Sequence, residues 1–443
     1  MQDRGLVVSC CYDLVMPWMC IFHLGGNMKH LAKAILTMGL THILSPGSLF
    51  AQPMPDDAGK QLVEAHCNAC HTSDRIASSV GYSQTGWQHL IATMVNLDGN
   101  PNREKITAYL AKHFPPKSRR NPQLVEGDLS VTFEEWVVPT LGQRSRDPIE
   151  APDGSIWWAG QWGNLIGSIN PQTGEMREYP LPASAMPHTV THDSNGNIWY
   201  TGNKNGTMGK LNPQTGEITE YKMPDPQAKD PHSAIFDDNG ALWFTLQHSN
   251  MVGRLIPSTG EIKLVTMPTQ DARPYGIKID SQGTPWVACN GSNCLVKVDP
   301  TTMSLSEYPL PNESTTVRRL DIADDGMIWY VNSGRGRLGR LNPDNGEVKE
   351  WPSPSGPKSH PYAIAVIGDA IWYNESGKRP DALVRFDRKN ETFQSWPIPT
   401  GEGDAQIYAG IVRHMRPTHD GNLLIHQSAT NRIILVKPEA QKN

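Results

Sequence analysis

Charged and apolar residues are both scarce in this 443-residue sequence, at 19% and 38%. The charge is also nearly balanced, with a formal net of −5, which removes the usual electrostatic reason to expect nucleic-acid binding. Beyond the first 51 residues no run is long and apolar enough for a spanning helix, so no membrane span is expected in the mature chain. Gly (39) and Pro (36) are abundant instead, a composition of turns that suits a β protein better than a helical one. The length allows two or three domains.

Residues 1–27 have no clear pattern. Met28-Lys29-His30 opens a short basic region, an apolar run extends from Ala34 to Phe50, and small Ala51 precedes the polar Gln52-Pro53. Residues 1–51 are therefore set apart from the fold, with a Sec-type signal peptide expected over 28–51 and a periplasmic destination. An uncleaved anchor is the alternative, but Pro46 inside the run and basic Lys29 before it favour a signal. Cleavage would remove Cys10, Cys11 and Cys20, leaving Cys67, Cys70, Cys289 and Cys294.

Two of those four stand in Cys67-Asn68-Ala69-Cys70-His71. Thiols three positions apart can each add to a haem vinyl group, and the His that follows supplies the proximal iron ligand. A zinc half-site would need a second Cys-x-x-Cys, and none is present. Haem c is the expected cofactor. Residues 59–64 lead into the motif as a short helix. Asn100-Pro101 looks like a cap followed by the first helical residue, and Ile106, Tyr109, Leu110 and Phe114 recur at helical spacing. Residues 56–116 resemble a class I cytochrome c, giving an expected all-α domain over 52–118 and a linker over 119–130. The second axial ligand is expected from a helix over Thr85–Val95. His89 and Met94 lie roughly 140° apart on it, so only one can face the iron, and Met94 is the usual kind of partner in small electron carriers.

From 131 onward the sequence repeats. Gly154-Ser155-Ile156-Trp157-Trp158, Gly196-Asn197-Ile198-Trp199-Tyr200 and Gly240-Ala241-Leu242-Trp243-Phe244 are three copies, and further copies centre on Trp286, Trp329 and Trp372. The six Trp are 42 to 44 residues apart, and degenerate Leu424 follows after 52. Turn residues divide each unit into four short runs of β-formers, the mark of a propeller. Seven segments match the last strand of a unit, and the first of them, around Trp136, precedes every other element. Strand 131–139 is thus expected to complete the last blade and close an all-β, seven-bladed propeller over 131–443. The repeated aromatics then read as packing between blades.

Propeller topology brings the residues eleven before each Trp to one mouth of the channel. They are Arg146, His188, His232, Tyr275, Arg318, Tyr362 (ten before) and Arg413; Glu375 belongs to a second ring, three after the Trp. These side chains either present an electropositive mouth to an anion or a polar ligand, or fill a wet channel by mutual hydrogen bonds.

The units resemble streptogramin B (virginiamycin B) lyase, whose blades carry Pro-His/Tyr-Gly-Ile and Leu-Trp-Phe-Thr-Glu. The resemblance implies Mg²⁺ and a general base for breaking an ester by elimination. His188 would match the metal-side histidine, His232 the base, and Asp230 the position of a glutamate. Gln247 stands where the family has a carboxylate, which weakens a site for a hard cation. Cys289 and Cys294 flank a hairpin turn and are expected to form a cross-strand disulfide, with a redox pair as the alternative.

Three functions remain. The first is a periplasmic c-type cytochrome with electron-transfer activity, whose propeller binds a substrate or a redox partner protein. The second is a metal-dependent lyase with an appended cytochrome, and the third is a non-catalytic propeller that docks the haem domain to an oxidoreductase.

Overall fold

A blade begins with a hairpin whose turn is tied to its own tryptophan. Asp193 accepts hydrogen bonds from the Asn197 amide (3.0 Å) and, through its other oxygen, from the Trp199 indole (2.9 Å). Asp237 and Asp280 hold Trp243 and Trp286 in the same way. These three indoles, of blades two, three and four, pack against the next blade.

The computed structural model describes residues 54–68, 72–77, 79–117, 120–399 and 411–440. All of them belong to one unit, Ala51–Asn443. The expected signal peptide at 28–51, Cys10, Cys11, Cys20, and Cys70 and His71 of the haem motif lie outside the described residues.

Strands β1 (Leu129–Val137) to β28 (Arg432–Ala440) form seven four-stranded antiparallel sheets. Blade one is β2–β5 (Ser145–Pro180), blade two β6–β9 (Pro187–Lys222) and blade three β10–β13 (Pro231–Thr266). Blades four, five and six follow as β14–β17 (Pro274–Pro309), β18–β21 (Val317–Pro352) and β22–β25 (Pro361–Pro397). Blade seven has the order β1-β28-β27-β26, with β26 at Met415–Pro417 and β27 at Leu423–Gln427. Its outermost strand comes from before the ring and pairs from Leu129↔Ala440 to Val137↔Arg432, the closure expected from the sequence.

The repeated tryptophans are core between blades. Trp157 clusters with Val190 and Tyr200 of blade two, and Trp372 with Met415, Leu423 and Ile434 of blade seven. In blades one, two, three and five the aromatic after the Trp lies over a glycine of the third strand. A Cβ on Gly209 would come within 1.9 Å of the Tyr200 ring, so that position has room for glycine only.

Ahead of the ring, four helices surround a small core. They are α1 (Lys60–Cys67), α2 (Asp74–Ala77), α3 (Gln84–Ala92) and α4 (Arg103–His113). Val63, Trp87, Leu90, Ile106, Tyr109, Leu110 and Phe114 are buried together, with Cys67 packed against them. Two boundaries differ from expectation. Asn100 does not cap α4; its side chain accepts from the Asn102 amide (2.9 Å) and forms a turn ahead of the helix. The helix α3 stops at Ala92, leaving Met94 beyond its end and 37% exposed. His89 is exposed on α3.

The stretch between helices and ring is not a free linker. Gln123 donates its amide to Ser355 Oγ (2.8 Å), and Val125 and Ser395 exchange hydrogen bonds of 2.9 Å. Residues 120–128 are thereby strapped along blade six.

Candidate functional site

The inner strand of each of blades one to six carries a register break near its start, as between Pro187 and Val190 in β6. A bulge turns two successive residues, rather than one, toward the channel. The first of each pair is a residue of the expected ring. The His188 and His232 rings lie 3.5 Å apart, His232 and Tyr275 4.0 Å, and the Tyr275 and Tyr362 hydroxyls are 2.5 Å apart. The Arg318 guanidinium lies over the Tyr362 ring at 4.5 Å, and Arg146 donates to Gln161 Oε1 at 2.7 Å. Arg146, His188, His232, Tyr275 and Tyr362 are buried, whereas Arg318 and Arg413 keep partial exposure.

The second residue of each pair forms a layer that the sequence reading did not find. Its centre is Asp147, fully buried and in the left-handed region at φ 46°. Thr189 donates to its Oδ2 at 2.7 Å, and Arg319 does so at 3.4 Å. Three imidazoles surround the carboxylate: His188 at 3.8 Å, His426 at 3.9 Å and His414 at 4.0 Å. Arg319 also donates to Ser233 Oγ (2.9 Å), and Arg416 to His414 (3.2 Å). Reading one residue further along each inner strand gives Asp147, Thr189, Ser233, Gly276, Arg319, Ala363 and His414, which is the signal that was available. Gly276 is required there: a Cβ would stand 2.9 Å from the Arg318 carbonyl and 3.1 Å from Arg319 Cα.

Burial alone would push the Asp147 carboxyl up, but His414, Arg319, His188 and Arg146 hold it well below the usual carboxylate range. Burial drives His188 and His232 well below the ordinary imidazole value, with Arg146 and Arg319 adding to the effect. Both rings are therefore neutral, and the lasting counter-charge to Asp147 is Arg319. His188 turns Nδ1 toward Thr189 Oγ1 (3.3 Å) and Asp147 behind it. That places a neutral imidazole, able to accept a proton, on a carboxylate support.

Several expected site residues stand elsewhere. Asp230 is engaged by the following loop, accepting from the His248 amide (2.5 Å), the Ser249 amide (3.0 Å) and Ser249 Oγ (2.7 Å). With those oxygens committed and Gln247 neutral, His188, Asp230 and Gln247 do not fit Mg²⁺, which requires charged oxygens directed at it. Among the described residues no group of three or more His, Cys, Asp or Glu could hold a metal ion. Glu375 is buried and bonds to the Ser355 amide (2.9 Å) and hydroxyl, away from the ring. Cys289 and Cys294 are buried free thiols, so the expected disulfide is not formed. Cys294 Sγ lies 3.2 Å from Ser292 Oγ.

No curated protein sequence matches the chain. Among solved structures, virginiamycin B lyase from Staphylococcus aureus is similar at 23% identity and a TM-score of 0.62, over 70% of this chain and 99% of that one. A streptogramin B lyase structure is similar at 24% identity and a TM-score of 0.62, over 70% and 98%. Kuenenia stuttgartiensis hydrazine synthase shares the fold at 12% identity and a TM-score of 0.55, over 69% and 98%. Within this seven-bladed propeller, residues 126–298, which contain both His188 and His232, match the virginiamycin B lyase family.

Proposed function

We propose that this is an exported c-type haem protein that transfers electrons, with a lyase-like propeller as its substrate- or partner-binding part. The observation that carries the reading is Cys67-Asn68-Ala69-Cys70-His71. The residues around it suit the group. Cys67 ends α1 and packs against the apolar cluster of the helices, which sets one thiol at the edge of a greasy surface. Met94 and Val95 leave that cluster exposed, and Leu141 and Trp162 of the propeller are exposed as well. Solvent-facing apolar side chains such as these are what a covalently held macrocycle would cover. Cys67 and Cys70 would tether the haem, His71 would be the proximal ligand, and Met94 or His89 the distal one. The bound haem would supply one-electron chemistry at its iron. Export to the periplasm agrees with the basic-apolar-small pattern of residues 28–51.

A pyridine haemochrome spectrum of protein purified from the periplasm tests this directly. One covalent haem per chain is expected, lost in Cys67→Ala/Cys70→Ala while the propeller stays folded. A haem-free wild type, or haem-stained bands surviving the double change, would refute it.

A second reading, bond-breaking by elimination, draws on the match over 126–298 and on the neutral His188–His232 pair beside Asp147. It would proceed without the metal arrangement, because Asp230 is committed to its loop. Quinupristin is the probe, since a catalytically inactive variant of the Staphylococcus aureus enzyme was crystallised with it. Ring opening by wild type but not by His232→Ala would favour this reading.

A further inference from the structure

We propose that the channel mouth is a binding site for a small oxyanion, a carboxylate or a phosphate, held by Arg146, Arg318 and Arg413 beside the Tyr275–Tyr362 pair. The proposal deepens the reading of the propeller as the binding part, and it is independent of the haem.

Blades one, five and seven contribute Arg146, Arg318 and Arg413 to one ring, and Arg144 stands just ahead of β2. Among the described residues none of these four makes an ion pair with a carboxylate. The acid of the neighbouring layer, Asp147, is taken by Arg319 and Thr189. Burial pushes the Arg144 and Arg146 guanidiniums down from their ordinary value; Asp147 offsets part of this at Arg146, and the neighbouring Arg413 pushes both further down. Cations gathered out of water without a carboxylate paired to them are costly, and an anion among them reduces the cost.

Hydrogen bonding points the same way. The Nε atoms of Arg146 and Arg318 are buried and have no partner. Arg146 is 3% exposed and spends Nη1 on neutral Gln161, so its fork is only partly used. The Arg318 guanidinium stands over the Tyr362 ring at 4.5 Å, which holds it at the mouth. The remaining ring members, His188, His232 and Tyr275, are neutral and offer polar atoms and ring faces rather than charge. Partial exposure of Arg318 and Arg413 gives a small ligand access from solvent.

Tyr362 reports on the site. Burial pushes its phenol up, but Arg318, Arg413 and Arg146 outweigh that and bring it below its ordinary value. An anion among these guanidiniums would weaken their hold on the phenolate and raise Tyr362 again.

The test is calorimetric titration of the full-length protein at low ionic strength with benzoate and, separately, inorganic phosphate. One site per chain is expected for at least one probe. Arg318→Gln and Arg413→Gln should each weaken it at least about tenfold, while Lys222→Gln on the outer strand leaves it unchanged. Preference for benzoate identifies an organic acid, and preference for phosphate a phosphate ligand. Saturation with the preferred probe should also shift the alkaline tyrosinate absorbance titration of wild type, but not of Tyr362→Phe, to higher pH. The proposal fails if neither probe binds below about 10 mM. It fails equally if Arg318→Gln and Arg413→Gln bind as wild type does, or if Lys222→Gln weakens binding as much as they do. Cys67→Ala/Cys70→Ala should bind the anion as wild type does, so loss of the haem reading leaves this result standing.

Discussion

Arg319 of blade five reaches across the propeller axis to Asp147 of blade one, with Nη2 3.4 Å from Oδ2 and both side chains buried. The pair joins opposite sides of the ring, beside shorter cross-axis contacts from Arg319 to Ser233 of blade three and from Tyr275 of blade four to Tyr362 of blade six. Removing the acid strands the guanidinium, so Asp147→Asn should cost about 3–5 kcal/mol in urea unfolding. Asp147→Asn/Arg319→Met, which removes both charges, should lie closer to wild type than Asp147→Asn alone.

Acid should destabilise the ring well before its carboxylates titrate. Burial holds His188, His232 and His414 well below the ordinary imidazole value and brings His426 to about 3. A group whose folded pKa is depressed contributes its full stability above its unfolded value, near 6.5, and loses it as the pH falls toward the folded value. Each histidine is expected to cost up to about 2 kcal/mol by about pH 5. Asp147, also depressed, adds a loss only below about pH 4. Melting temperatures measured from about pH 8 to about pH 5 should fall steeply below neutrality; a flat profile would mean that these rings are not held neutral in the fold.

Gly276→Ala tests the packing under Arg319. The added methyl would meet the backbone of residues 318 and 319, which cannot turn aside as a flexible side chain can. A loss of about 1–3 kcal/mol is expected in denaturant unfolding. Ala363→Gly, at the corresponding buried position of blade six, removes a methyl rather than adding one and should show no such clash.

The blades were legible because the same physical solution recurs: a turn and a tryptophan facing the next blade in six of them, and a glycine beneath an aromatic in four. Closure was legible because the final unit lacked an outer strand that residues before the ring supplied. The first ring was legible for the same periodic reason. Asp147 and Arg319 were not, because strict alternation along a strand assigns one residue in two to a face, and the bulge presents two in succession. His414, Arg416 and His426 were hidden in blade seven, where the repeat is degenerate and Leu424 replaces the Trp. Glu375 was misplaced by the same assumption at the other end of the hairpin, where the second strand turns its last side chain to a neighbouring loop. Asp230 was assigned by motif, and a motif does not say which backbone amides have already taken the carboxylate.

Met94→Ala tests the distal ligand of the proposed haem. The thioether-to-iron charge-transfer band should vanish and the potential should fall. Met94 is exposed beyond the end of α3, so the change should cost little in folding. A band that persists, or a bis-histidine spectrum in wild type, assigns the position to His89 or another residue.

The closing seam also sets how the protein bears mechanical load. Leu129 lies opposite Ala440, so the chain enters and leaves the β1–β28 pair at the same end. A pull between those two ends does not slide one strand along the other; it opens the pair like a zip, one residue pair at a time. Ahead of the seam in the load path stand the anchors of Gln123 and Val125 on blade six, so force arriving from the helices is taken first by that strap.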